Sequence, residues 1–138
     1  MIDLGTLIPD PSSPGSFFQN SGAFGINDRN GFVGTSDTLG FTPAGDPLTG
    51  ACEFHRNLTP APILPVHSEA FDIGPKHHIV GRFDLPPRGF VFRSSTGMID
   101  LSTTTGMTIV DAWGVNSIGQ VVAGANVGGD SVGVLITP

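Results

Sequence analysis

The stretch AFGINDRNGFVG, residues Ala23–Gly34, decides the fold because the chain repeats its pattern twice more. The related stretches are AFDIGPKHHIVG at Ala70–Gly81 and AWGVNSIGQVVA at Ala112–Ala123. Aligned without gaps, the three stretches begin 47 and then 42 positions apart. Self-similarity at a period of this size is typical of repeat architectures, in which each unit buries one face against its neighbour.

Bulky and small side chains alternate along each of the three stretches. The second position is aromatic (Phe24, Phe71 or Trp113), and the fourth is β-branched. A period of two predicts a strand, and the Asn-, Gly- and Pro-containing segment that follows predicts a tight turn. We therefore predict equivalent β-hairpins at 23–34, 70–81 and 112–123, with the three aromatic side chains buried in the core.

Further strands are predicted around these hairpins. The stretch GFVFRSSTGMIDLST at Gly89–Thr103 predicts a strand, a turn and a strand, which with the third hairpin would make a four-stranded meander. The segments MIDLGTL at 1–7 and SVGVLITP at 131–138 resemble the two halves of that outer hairpin. Pairing of these terminal segments, within one chain or across a dimer, would complete another unit. The proline-rich range 40–65 predicts a loop insertion over short edge strands.

Composition favours a single all-β domain covering residues 1–138. Glycine (20) and proline (12) are abundant, only 13% of residues are charged, and no segment accumulates helix-forming residues. The net charge of −6 argues against a nucleic-acid partner. No apolar run approaches the ~18 residues of a membrane-spanning helix, and no signal peptide is recognisable at the first residue. Cys52, the single cysteine, is expected to be an inert side chain.

Several of these stretches resemble the HAF-type extracellular repeat family. The resemblance rests on MIDLGTL, AFGINDRNGFVG, RGFVFRSSTGMIDLSTT and AWGVNSIGQVVAG, while the middle repeat departs from the family pattern at Asp72 and Gly74. It implies a β-propeller-like bacterial protein located outside the cell or in the periplasm. It implies no particular reaction.

The predicted architecture is three four-stranded antiparallel units arranged like the blades of a propeller. Propellers ordinarily close with four to eight blades. Three units could form half of a six-bladed ring made by a homodimer. A single-chain β-trefoil is the alternative.

Three oxygen-bearing side chains follow the second strand of each hairpin at the same offset. They are Asp37, Asp84 and Asn126. Carboxylate and amide oxygens are ligands that Ca²⁺ prefers, so these residues are the candidate metal site and Ca²⁺ the candidate cofactor. The alternative is that they simply begin the turns that leave the strands.

The histidines are His55, His67, His77 and His78, without the convergent spacing of a zinc site. His67 and His77 are the candidate general bases, because loop histidines on a rigid β scaffold suit that role. Trp113 is of the type that stacks on sugars, although its equivalence to two phenylalanines favours the core.

These observations lead to two functional hypotheses. The first is an extracellular repeat module that binds a glycan, another small molecule, a surface or a second copy of itself. The second is a calcium-assisted hydrolase that cleaves ester or lactone bonds.

Overall fold

The computed structural model describes residues 4–5, 20–41, 43, 45, 47–54, 61–64 and 67–138, and it confirms the all-β class. The described strands form three antiparallel sheets, each built from strands that are consecutive in the chain. The first sheet contains β1 (Ser21–Ile26), β2 (Phe32–Phe41), β3 (Pro47–Phe54) and β4 (Ala61–Pro62). The second contains β5 (Ser68–Ile73), β6 (Ile79–Phe83), β7 (Arg88–Arg93) and β8 (Gly97–Asp100). The third contains β9 (Thr108–Val115), β10 (Val121–Val127) and β11 (Asp130–Ile136).

The three repeated stretches form the hairpins β1–β2, β5–β6 and β9–β10, and their turns have one geometry. In each turn the first residue donates its N–H to the carbonyl four residues later and accepts a hydrogen bond from the N–H three residues later. That donor has a positive φ in all three turns, being Asn30, His77 or Gly119. Asparagine and glycine tolerate this conformation best, which explains why two of the three turns have one of these residues at this position.

The outer hairpin at Gly89–Thr103 belongs to the second sheet, so its predicted place beside the third hairpin is wrong. Its strands β7 and β8 follow β6 through a short turn, and β7 pairs directly with β6. The predicted second strand is also shorter than expected, because Leu101–Thr105 forms helix α1. The Asp100 side chain caps α1 by accepting a hydrogen bond from the Ser102 N–H. This helix of five residues is far too short to span a membrane, and no described helix is longer.

Within the range 40–65, predicted as a loop insertion, the described residues include all of β3 and β4, which continue the first sheet. The predicted pairing of the two termini lies mostly outside the described residues. Of the amino-terminal segment only Leu4 and Gly5 are described, and the Gly5 carbonyl accepts a hydrogen bond from the Ser21 hydroxyl at 2.8 Å.

Neighbouring sheets pack face to face around two apolar clusters. One cluster joins the first and second sheets, with Val33 and Ala51 facing Ile73 and Phe90. The other joins the second and third sheets through residues of β6, β7, β9 and β10. The strands β1, β5 and β9 also contact one another in sequence, and β2 and β3 contact β5 as β6 and β7 contact β9. None of the described sheets closes on itself, which leaves the trefoil alternative without its barrel.

Polar side chains reinforce the junctions between sheets at the turn ends of the hairpins. The Asn27 amide donates to the carbonyl of Gly74 at 3.1 Å, and the Asp72 carboxylate accepts the Val115 N–H at 2.9 Å. Both bonds cross from one sheet to the next, so they help to fix how consecutive sheets dock.

Candidate functional site

The aromatic residues of the three repeats form a continuous row on the molecular surface. Phe24 contacts Phe71 edge to face at a centroid distance of 6.2 Å, and Phe71 stacks on Trp113 at 4.6 Å with an interplanar angle of 11°. Phe24 is 57% exposed, Trp113 is 54% exposed, and Phe71 is half-buried. The prediction of burial in the core is therefore wrong for Phe24 and Trp113, while Phe71 is partly buried within the row. We call Phe24, Phe71 and Trp113 the aromatic row.

A β-bulge at the same point of each hairpin explains the exposure of the row. The pairing register shifts so that Phe24, Phe71 and Trp113 each lack a partner on the neighbouring strand. A bulge inserts one residue and re-aims its side chain. As a result the alanine before each aromatic residue, such as Ala70, and the β-branched residue after it, such as Ile73, share the packed side of the strand.

The second and third sheets cover their aromatic residue differently. In the second sheet Arg82 lies 5.6 Å from the centre of the Phe71 ring and pairs with Glu69 at 2.6 Å. At the equivalent pair of the third sheet, Gly124 faces Asp111. Because glycine has no side chain, nothing at position 124 corresponds to Arg82, and the Trp113 indole is left uncovered there.

A groove of about 370 Å³ lies beside the exposed indole. We call it the Trp113 groove. The Asp111 Oδ1 accepts the Gly124 N–H at 3.1 Å, while Asp111 Oδ2 has no partner among the described residues. The groove thus combines an aromatic face with a carboxylate and a hydroxyl, a mixture that suits a small polar ligand with an apolar face. Its lining includes Asp111, Trp113, Gly124, Ser131, Val132 and Gly133.

Sequence reasoning missed Asp111 and Gly124 as site residues. The signal was present in the repeat alignment, where the Glu69 and Arg82 pair of the second repeat becomes Asp111 and Gly124 in the third. In the second repeat Arg82 pairs with Glu69 and covers the Phe71 ring. Gly124 replaces this arginine in the third repeat, which leaves the surface beside Trp113 open.

Asp37, the first predicted calcium ligand, is a buried side chain of the inner strand β2 in the first sheet. Its carboxylate accepts hydrogen bonds from the Asn20 backbone N–H at 3.1 Å and from the Asn20 side-chain amide at 3.0 Å. Its own N–H donates to the Asn20 carbonyl. In this arrangement Asp37 binds the segment that enters β1, and it lies within β2 rather than at a turn.

Asp84 and His67 come together at one end of the second sheet. The Asp84 N–H donates to the His67 carbonyl at 2.8 Å, and both residues line a cavity of about 130 Å³ together with Glu69 and Arg82. The Asp84 carboxylate pairs with Arg88 at 2.9 Å. The Nδ1 atom of His67 lies 3.3 Å from the backbone nitrogen of Thr49, so this ring contacts the first sheet.

The remaining candidates lie in separate turns. Asn126 accepts the Gly129 N–H at 3.0 Å in the exposed turn between β10 and β11. His77 lies at the opposite end of hairpin β5–β6 from His67, and its Nε2 atom is 3.1 Å from the Glu53 carboxylate. A six-residue strand spans about 20 Å, so His67 and His77 do not share one site. His55 lies outside the described residues.

Within the described ranges, no three His, Cys, Asp or Glu side chains are close enough to hold a metal ion. Asparagine is not one of these residue types, and Asp37, Asp84 and Asn126 stay a prediction as a calcium site. Cys52 is completely buried, and burial raises the pKa of its thiol to about 12. A thiol that stays protonated at neutral pH is a poor nucleophile, which agrees with the inert role expected for it.

No family model matches the chain, and no curated protein or solved structure shows significant similarity to it.

Proposed function

We propose that this protein is a non-catalytic extracellular binding module whose three sheets are arranged like blades of a β-propeller and whose ligand is an uncharged glycan. The observation that carries the proposal is the aromatic row, which presents three aromatic side chains on the surface at equivalent positions of three repeats. Contiguous exposed aromatic surface of this kind is uncommon unless it binds something. The HAF-type resemblance supports the extracellular location.

The chemistry of the row and the Trp113 groove favours a sugar. The C–H bonds on one face of a pyranose ring carry partial positive charge and stack on the electron-rich face of an indole. The ring hydroxyls can then donate to the Asp111 carboxylate and exchange hydrogen bonds with the Ser131 hydroxyl, which both line the groove. A net charge of −6 and a carboxylate in the groove disfavour sulfated or uronic acid-rich polymers.

The experiment is a titration with neutral oligosaccharides, beside sulfated and uronic acid-containing ones, followed by tryptophan fluorescence. Trp113 is the only tryptophan of the chain, so its emission reports on the groove. We expect saturable changes with one or more neutral sugars. Trp113→Ala, measured by calorimetry, should weaken binding at least about tenfold.

Two further variants make the test specific for the groove. Gly124→Arg places its Cβ against Asp111 Oδ1, so the Asp111 carboxylate has to move. The new side chain should then cover the indole, as Arg82 covers Phe71 in the second sheet, and abolish binding. Ile118→Ala is the matched control, because it removes an exposed apolar side chain outside the row and the groove. Failure of every neutral sugar to bind, or equal losses in Trp113→Ala and Ile118→Ala, would contradict the proposal.

A calcium-assisted hydrolase is the second candidate function. It is favoured by the cavity that His67 and Asp84 share with Glu69 and Arg82, since an imidazole and carboxylates in one concave site suit general base catalysis. Assays with ester and lactone substrates, with and without Ca²⁺, test it. Activity that requires His67 but not Trp113 would favour this candidate over the binding module.

A further inference from the structure

A cavity of about 250 Å³ lies between the second and third sheets, close to the turns of the hairpins β7–β8 and β9–β10. We call it the Arg93 cavity, after the arginine in its lining. It shares no lining residue with the Trp113 groove, so it is a separate concave site. Its apolar wall continues the cluster that joins the two sheets and consists of Val91, Ile99, Leu101, Val121 and Ile136.

The Arg93 side chain has no anionic partner in the part of the chain that the structure describes. Arg82 and Arg88 pair with carboxylates, whereas Arg93 makes no such ion pair with the described residues. Its Nε atom is buried and has no hydrogen-bond partner among them. Buried donors nearly always have a partner, because an unsatisfied one loses its hydration without compensation. Arg93 is therefore a donor that an anionic ligand could satisfy.

The surroundings of the Arg93 cavity are positively charged, although the whole chain has a net charge of −6. Burial lowers the pKa of His78, and the charges of Arg93 and Lys76 lower it further. The His78 ring borders the cavity, because a Cβ atom placed on the lining residue Gly119 would lie 3.7 Å from it. No Asp or Glu is among the described lining residues, whereas Asp111 lines the Trp113 groove. These charges favour an anion at this end of the two sheets.

We propose that the Arg93 cavity binds a short aliphatic carboxylic acid, whose carboxylate contacts Arg93 and whose hydrocarbon chain lies against the apolar wall. A guanidinium holds a carboxylate through two parallel hydrogen bonds, and Nε is one of the donors that can form them. Sites for small molecules commonly combine a mainly apolar lining with a few polar groups that orient the ligand. The volume is below the roughly 300–1,000 Å³ of pockets for drug-sized ligands, which favours an acid with few carbon atoms.

Calorimetric titration with acetate, butyrate and hexanoate near neutral pH tests the proposal. We expect saturable binding that becomes tighter along this series, because each added methylene is removed from water against the apolar wall. Two control ligands separate the contributions, since 1-hexanol has the chain without the charge and inorganic phosphate has a charge without the chain. Each control ligand should bind at least about tenfold more weakly than hexanoate.

Four variants assign the binding to the Arg93 cavity. Arg93→Gln should weaken hexanoate binding at least about tenfold, and Arg93→Lys should have an intermediate affinity because it keeps the charge but loses the planar fork. Arg29→Gln is the matched control, since it removes the same charge from an exposed turn residue of the first sheet and should leave binding unchanged. Trp113→Ala should also leave hexanoate binding unchanged, so this test does not depend on the proposed glycan site.

Methyl NMR spectra locate the bound acid, and circular dichroism confirms that each variant is folded. Hexanoate should shift the methyl resonances of Ile99 and Ile136, which line the cavity, and leave those of the exposed Ile26 and Ile118 in place. The proposal would be overturned if none of the acids bound saturably or if 1-hexanol bound as tightly as hexanoate. Equal losses in Arg93→Gln and Arg29→Gln, or shifts that spare Ile99 and Ile136, would overturn it as well.

Discussion

The fourth position of the repeated stretch is exposed in the first sheet, as Ile26, and buried in the second, as Ile73. A pair of identical substitutions tests this difference. Ile73→Ala and Ile26→Ala remove the same three carbon atoms at equivalent points of β5 and β1. Ile73 is almost completely buried in the cluster between the first and second sheets, whereas Ile26 is mostly exposed. The repeat thus provides each substitution with its own control, since the local backbone and turn are alike.

The expected losses follow from the buried carbon atoms. At about 0.8 kcal/mol per buried methylene, Ile73→Ala loses about 2.4 kcal/mol by transfer, and the residual cavity raises the total to about 3–4 kcal/mol. Ile26→Ala should cost less than about 1 kcal/mol, because only a third of its side chain is covered.

Urea denaturation followed by circular dichroism measures both losses. With a slope of about 2 kcal/mol per molar urea, the Ile73→Ala midpoint should fall by about 1.5–2 M and the Ile26→Ala midpoint by less than about 0.5 M. Both variants should be measured at the same low protein concentration. Equal midpoint shifts for the two variants under those conditions would refute the argument from the bulged repeats.

Three other measurements test single groups. Cys52, with a pKa of about 12, should react with thiol reagents at pH 8 more than about 10³-fold slower in the folded than in the urea-unfolded chain, and comparable rates would show that the thiol is accessible. If Asp37, Asp84 and Asn126 bind Ca²⁺, a Ca²⁺ concentration 100-fold above Kd should raise the free energy of unfolding by about 2.7 kcal/mol. Asp84→Asn should weaken this gain. A melting temperature that Ca²⁺ leaves unchanged would contradict the calcium prediction. Burial and two neighbouring cations lower the pKa of His78 in the folded chain, so the unfolded chain binds this proton at a higher pH than the folded chain does. The free energy of unfolding should therefore decrease as the pH falls below about 6.5. Urea titrations at several pH values measure this dependence, which His78→Gln should flatten.

The hairpins could be predicted from sequence because their signals are local. The turn beginning at Asn27 needs a positive φ at Asn30, and residue types that tolerate it recur at the same place in every repeat. The burial of Phe24 and Trp113 was predicted incorrectly because a period-two pattern assumes an unbroken pairing register. A bulge leaves no distinctive residue in the sequence, yet it moves every following side chain to the other face.

The assignment of β7 and β8 to a sheet depended on a different kind of information. Sequence similarity alone could not say whether the outer hairpin joins the repeat before it or the one after it. The short connection at 84–87 between β6 and β7 favours antiparallel pairing of these neighbours, whereas α1 separates β8 from β9. The candidate groove was missed for a related reason, since the significance of Gly124 appears only when its cross-strand neighbour Asp111 is known.

The construction of every described sheet from consecutive strands has a consequence for folding. Most strand pairings join segments that are close in sequence, so the contact order is low for an all-β chain and folding should be fast for its class. Each sheet is also a contiguous segment that can open as a cooperative unit. The second sheet packs on both faces, whereas the third packs on one. Amide hydrogens of β5 and β6 should therefore exchange with solvent most slowly, and those of the edge strand β11 should exchange early, so the chain opens from its ends inward.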